Sequence, residues 1–251
     1  MRTQGTLAPL ATLAAALLMD VVSAQSLTQE KHDSQAPIGD RVVAIDVLLE
    51  PDAKMVEKAQ SANAALRKNY PRGYALDSAH RAHITLVQRY VREKDLPAVE
   101  TAVAKVLSDV NPMAWALSAR RYQHTLWAGV AITAIEVERT PELRRLQEEI
   151  VSAVEPFAVA KGTAAAFSTS RELPKIDKEI VTYVEKFVPN SSGDKYNPHV
   201  TVGVAHEDFV KEFEGKAFQK FSFKVQGVAI YQLGNFGTAQ KKLWQWKARQ
   251  R

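Results

Sequence analysis

From Arg41 the chain opens on a β-branched and aliphatic run, Arg41 to Leu49 (RVVAIDVLL), which predicts a strand. Pro51-Asp52 ends it, and apolar residues return at Met55, Ala59, Ala62 and Leu66, the spacing of one helix face over Ala53 to about Lys68. After the turn-forming Asn69-Tyr70-Pro71-Arg72-Gly73 the same unit recurs, as a strand over about Ala82 to Val91 and a helix over Leu96 to Val110. Two strands joined around Ala128 and Gly129 are expected between Trp115 and Val137. Thr140-Pro141-Glu142 then starts a helix that runs to about Val154. Lys161 to Lys175 follows neither rhythm and reads as a loop or short strand. Beyond it come a helical pattern over Lys178 to Phe187, a polar stretch over Pro189 to Asn197, a strand over His199 to Val204 and a short helix near Asp208 to Phe213. A hairpin closes the chain, with Phe221 to Leu233 turning through Gly234-Asn235-Phe236-Gly237 into a strand through Leu243 to Trp246. Strands and helices are intermixed, so the fold class is α+β, without a solenoid-type repeat.

The first 40 residues have a different character. Arg2 precedes a stretch from Leu10 to Met19 that is nearly all Ala and Leu, and Val22-Ser23-Ala24 offers small residues for cleavage. This is the form of a secretory signal peptide over 1–24, so the mature chain is expected to begin near Gln25 and to be periplasmic or secreted. The apolar run is shorter than the roughly 20 residues that span a bilayer, and no stable membrane association is expected. Residues 25–40 are polar and poor in aromatics, and are expected to be disordered. A single domain over 41–251 follows.

Composition narrows the chemistry. Lys and Arg outnumber Asp and Glu by 33 to 28, and a net charge of +5 mildly favours anionic ligands. Cysteine is absent, which excludes disulfides, thiolate metal sites and cysteine nucleophiles. There is no His-Glu-x-x-His, no Asp-rich calcium loop and no Gly-x-Ser-x-Gly elbow, so neither a catalytic metal nor a serine nucleophile is expected. No cofactor is implied, and no obligate protein partner.

Two short segments share one form: His83-Ile84-Thr85-Leu86 and His199-Val200-Thr201-Val202. In a strand, neighbouring side chains point to opposite faces, so each segment buries two aliphatics and presents an imidazole and a hydroxyl on the other face. Histidine titrates near neutrality, so two of them can divide proton removal and delivery between them. Threonine hydroxyls can donate to the nonbridging oxygens of a phosphate. One His-x-Thr arises easily by chance as a strand with a polar face; two in matching strand contexts are a stronger signal.

With these paired motifs the chain resembles the two-histidine (2H) phosphoesterase superfamily, which includes the bacterial 2′-5′ RNA ligase-like proteins and cyclic nucleotide phosphodiesterases. Gly73-Tyr74-Ala75-Leu76-Asp77, Tyr196-Asn197-Pro198 and the closing hairpin around Tyr231 to Trp246 extend the resemblance over roughly Val42 to Lys247. Ala82 stands where many relatives have proline. The resemblance implies a bilobal fold, two pseudo-symmetric lobes of antiparallel sheet flanked by helices, with a central groove where the motifs meet. It implies that His83 and His199 are the acid and base, and that Thr85 and Thr201 hold the phosphate. The expected activity is metal-independent hydrolysis of 2′,3′-cyclic nucleotides, RNA termini or 2′-5′ phosphodiesters, with a nucleotide or short RNA as substrate. The alternative is an envelope protein that binds nucleotide or RNA in the same groove without turnover.

Three further residues are candidates for substrate binding. Arg89 lies an even number of positions from His83 and shares its face, where it could contact phosphate, if the strand continues regularly; a solvated surface arginine is the more ordinary reading. Tyr196 and Tyr231 are candidates for stacking on a base, although core or hairpin packing is the better explanation of both. Gly203, on the His199 side of its strand, would leave room for substrate or mark a bend.

Overall fold

The apolar run after Arg41 forms β1 (Val42–Pro51), whose residues from Val43 to Leu49 are all buried. In the computed structural model, which describes residues 40–127 and 129–247, the leader expected over 1–24 and the polar segment up to residue 39 lie outside the described residues. Asp52 accepts from the Met55 amide at 3.2 Å and so caps α1 (Ala53–Asn69), which ends with Arg67 and Lys68 against the negative end of its dipole. Met55, Ala59, Ala62 and Leu66 line its buried face, and full burial of a Leu or Met side chain contributes roughly 1.5–3 kcal/mol.

The first His-x-Thr strand, β2 (Ile84–Arg92), leads to α2 (Leu96–Asp109). The two expected middle strands are β3 (Ala116–Trp127) and β4 (Val130–Val137). Thr140 accepts from the Leu143 amide at 3.2 Å and Pro141 occupies the first turn of α3 (Pro141–Val154). A two-residue strand, β5 (Ala158–Val159), pairs with β2. Lys161 to Lys175 is otherwise loop, with one 3-10 turn at Ala164–Ala166. The helical pattern from Lys178 divides into α4 (Lys178–Glu185) and a short α5 (Phe187–Ser191), so helix intrudes into a stretch whose polarity predicts none. The second motif opens β6 (His199–Ala205), followed by α6 (Glu207–Glu214) and the hairpin of β7 (Phe221–Leu233) and β8 (Ala239–Gln245).

Among the described residues the eight strands follow the order β5-β2-β1-β7-β3-β4-β6, with β8 also paired to β7, and every pairing is antiparallel. The fold is thus α+β. β7 belongs to both lobes: Phe221 to Lys224 pair with β3, while Val225 to Gln232 pair with β1. In each lobe the strand bearing a His-x-Thr lies antiparallel to the strand that precedes it in the sheet, β2 on β1 and β6 on β4. The helices cross over. α1, from the first lobe, packs behind β6, and α3, from the second, packs behind β2. Although β2 and β6 are far apart in strand order, they approach each other, and the groove opens where they do.

Candidate active site

Each His-x-Thr strand carries a β-bulge one residue after its threonine. Leu48 pairs with Thr85 and Val47 with Val87, leaving Leu86 without a partner; Ala134 pairs with Thr201 and Thr133 with Gly203, leaving Val202 without one. A bulge adds a residue to one strand and reverses the facing of everything beyond it. The carbonyl of each bulged residue is held by a buried side-chain amide from the crossed-over helix. Gln147 of α3 donates to Leu86 O at 3.2 Å, and Asn63 of α1 donates to Val202 O at 2.9 Å. Asn63 also donates to Tyr74 O at 3.0 Å and accepts from the Leu76 amide, while Gln147 donates to Ser192 Oγ and accepts from the Gly193 amide.

Both histidines use the same local device. His83 Nδ1 lies 2.7 Å from Arg81 O, and His199 Nδ1 lies 2.7 Å from Asn197 O. A carbonyl only accepts, so each Nδ1 carries the hydrogen, and in the neutral ring Nε2 remains as the proton acceptor. His83, Thr85, His199 and Thr201 line one groove of about 340 Å³. Tyr196 ties the two motifs together, since its hydroxyl donates to Thr85 O at 3.1 Å. No carboxylate lines the groove among the described residues, whereas Lys195 does, with its Nζ donating to Pro189 O.

Beneath the first motif lies a residue that motif spacing does not single out. Asp46, in the middle of β1, is 0 % exposed. Its Oδ2 accepts from Thr85 Oγ1 at 2.7 Å and Gln88 Nε2 at 3.0 Å, and stands 3.5 Å from His83 Nε2; Oδ1 has no hydrogen-bond partner among the described residues. The signal for it is a lone carboxylate in the apolar run from Val42 to Leu49.

Asp46 makes the two histidines unequal. Burial pulls the His83 imidazole down, but the hydrogen bond and charge of Asp46, the Arg81 carbonyl and the charge of Glu50 outweigh it, and His83 titrates above the usual histidine value. For His199, burial and the charge of His83 prevail over the Asn197 carbonyl and the more distant Asp46, and it titrates below that value. The threonines differ as well. Thr85 donates its single hydrogen to Asp46, whereas the Thr201 hydroxyl has no partner among the described residues.

The remaining candidates separate. Tyr196 is buried on the groove wall, its hydroxyl held by Thr85 O. Arg89 is not on the groove, because the bulge at Leu86 places Gln88 on the Thr85 face instead; the Arg89 guanidinium pairs with Glu155 at 2.6 Å. Tyr231 is also off the groove, buried beside Leu48, Ala229 and Ala239 with its hydroxyl donating to Glu50 at 2.8 Å. Gly203 sits past the bulge at Val202 with φ 140, and a Cβ there would meet Asn63 and Leu66 of α1, so it serves the bend. The rest of the wall includes Trp127, Ile132, Ile180, Tyr183 and Phe236, which motif spacing also leaves unmarked. Phe236 holds a left-handed φ of 57, rare for a bulky residue, within a turn fixed by the hydrogen bonds between Asn235 and Asp177.

The model of the 2′-5′ RNA ligase superfamily matches residues 50–235. No protein among curated sequences matches the chain. Among solved structures, TT0787 of Thermus thermophilus superposes with a TM-score of 0.50 at 16% identity, covering 82% of this chain and 98% of that one. LigT of E. coli in its apo form gives 0.39 at 11% identity, covering 82% and 96%, and Usb1 of Kluyveromyces marxianus gives 0.37 at 13%, covering 83% and 100%.

Proposed function

We propose that this chain, which belongs to the 2′-5′ RNA ligase superfamily of 2H phosphoesterases, hydrolyses a phosphodiester of a ribose 2′ or 3′ oxygen: a 2′,3′-cyclic nucleotide or RNA terminus, or a 2′-5′ linkage. The observation that carries this reading is the pair of inequivalent imidazoles on one groove that has no carboxylate on its wall to repel a phosphate. His199, held neutral, accepts a proton from the attacking water at Nε2. The water oxygen bonds to phosphorus as the bond to the leaving ribose oxygen breaks, and His83, held cationic, delivers its proton to that oxygen. Thr201 donates to a nonbridging oxygen. Thr85 does so only by turning its hydrogen away from Asp46, and Gln88 remains as a donor to that carboxylate. Asp46 acts through His83 and Thr85 and is a positioning residue.

Water is favoured over a second ribose hydroxyl as the nucleophile because the leader expected over 1–24 would remove the chain from cytoplasmic RNA ends. The test is a panel of 2′,3′-cyclic nucleotides and 2′-5′-linked dinucleotides offered to the purified protein, with product phosphate position read by NMR and the reverse ligation assayed alongside. Hydrolysis of one class with a single regiochemistry is expected. A panel left intact by a protein that binds its members would point to the nucleotide-binding alternative.

A further inference from the structure

Beyond Trp127 and Tyr183 the groove runs on into a second cavity of about 520 Å³, and Trp127, Tyr183 and Asn190 line both. Trp127 and Tyr183 meet edge to face with ring centroids 5.6 Å apart, forming a ridge between the two spaces. On the far side, α4 and its C-cap residue present Lys178, Thr182 and Lys186, each four residues from the next along one side of the helix. The two lysines stand about 12 Å apart along the axis. Both are exposed, and neither side-chain ammonium has a hydrogen bond or ion pair among the described residues. Among the described residues Glu179 is the one carboxylate on this cavity, so cationic side chains outnumber anionic ones there.

Helix electrostatics accounts for only one of the two lysines. A cation at a helix C-terminus is favoured by the dipole, which accounts for Lys186, but Lys178 occupies the first turn, where a cation is disfavoured. Leu126, 59 % exposed, stands on the rim beside Trp127, and it is the large hydrophobic side chain most open to solvent among the described residues. Apolar and aromatic surface next to two unpaired lysines is the chemistry that takes a base together with a backbone phosphate of a single strand.

We propose that the second cavity is a subsite for the next nucleotide of a single-stranded oligonucleotide, with Lys178 and Lys186 meeting a phosphate other than the one that reacts. This inference rests on the phosphodiesterase reading of the groove and narrows it: the preferred substrate is an oligonucleotide end, and a mononucleotide fills only the first cavity.

Binding of product-like ligands tests the subsite without requiring turnover. A nucleoside 3′-monophosphate and a trinucleotide ending in the same 3′-phosphate are titrated calorimetrically into the parent protein, into the Lys178→Glu/Lys186→Glu double variant, and into a Lys216→Glu/Lys220→Glu control carrying the same charge change at exposed positions off both cavities. The parent and the control should bind the trinucleotide about tenfold more tightly than the mononucleotide, in line with ~1–3 kcal/mol per stacked base. That ratio should fall towards one in the Lys178/Lys186 variant, with a salt slope shallower by about 0.7 for each phosphate the lysines no longer neutralise. A parent that binds both ligands equally, or the trinucleotide not at all, overturns the subsite, as does a ratio that survives in the Lys178/Lys186 variant or falls equally in the control. A parent that shows the ratio yet hydrolyses nothing in the substrate panel keeps the subsite and loses the phosphodiesterase reading.

Discussion

A carboxylate with no exposed surface is costly to bury, and Asp46 offsets that cost through the donors around it: the Thr85 hydroxyl, the Gln88 amide and, when protonated, His83. The same groups set the pH behaviour of the site. With His199 neutral as base and His83 cationic as acid, the rate should rise through a limb below the unperturbed histidine value of about 6.5 and fall through a limb above it, leaving a plateau between. The signs follow from the shifts: a depressed base is ready earlier as pH rises, and an elevated acid keeps its proton longer. In Asp46→Asn, the falling limb of kcat/KM should move to lower pH while the rising limb, set by His199, moves less. A steady-state pH profile of the parent and variant checks this, and coincident falling limbs would count against Asp46 as the support of the acid. The other charged and titratable groups around His83 and on its groove, namely Glu50, His199, Lys195 and the phenols of Tyr183 and Tyr196, are unchanged in that variant.

At the scale of elements, the bulges decide which side chains face the groove, and two buried amides hold the bulges. Removing the Asn63 amide with Asn63→Ala leaves Val202 O, Tyr74 O and the Leu76 amide without that partner, and a buried polar group left unpaired costs about 1–3 kcal/mol. Gln147→Leu strands Leu86 O in the same way. Both variants should unfold at lower urea concentration and should lose kcat more than they raise KM, because the imidazole and hydroxyl shift relative to the phosphate; equal kcat in a folded variant would show that the amides only stabilise. The bulges also mark the limit of what the sequence discloses. Alternation is enough to place His83 with Thr85 and His199 with Thr201, since both pairs precede the irregularity. It fails for Arg89 and Gly203, which follow it, because an inserted residue leaves no trace in the hydrophobic pattern of strands buried on both faces. Asp46 is legible as a charge in an apolar strand; Asn63 and Gln147 are not, since a polar residue on a helix gives no sign of burial until the helix is known to cross to the other lobe.

The whole molecule is arranged to bring two distant strands together. β7 pairs with both lobes and fixes them to each other, the crossed-over helices brace each motif from the opposite lobe, and Tyr196 bonds the second motif to the first. Strand, helix and His-x-Thr strand recur in the same order in both halves, and Asp46 under the first motif alone makes the two histidines unequal. The central claim is therefore a division of labour: His83 as acid, His199 as base. Loss of either in a His→Ala variant should lower turnover of a ribose phosphodiester about 100- to 10,000-fold. The direct test compares the two variants on a p-nitrophenyl phosphodiester, whose leaving group departs without a proton. His83→Ala should recover most of the parent rate on that substrate while His199→Ala stays inactive; recovery by His199→Ala instead, by both, or by neither contradicts the assignment.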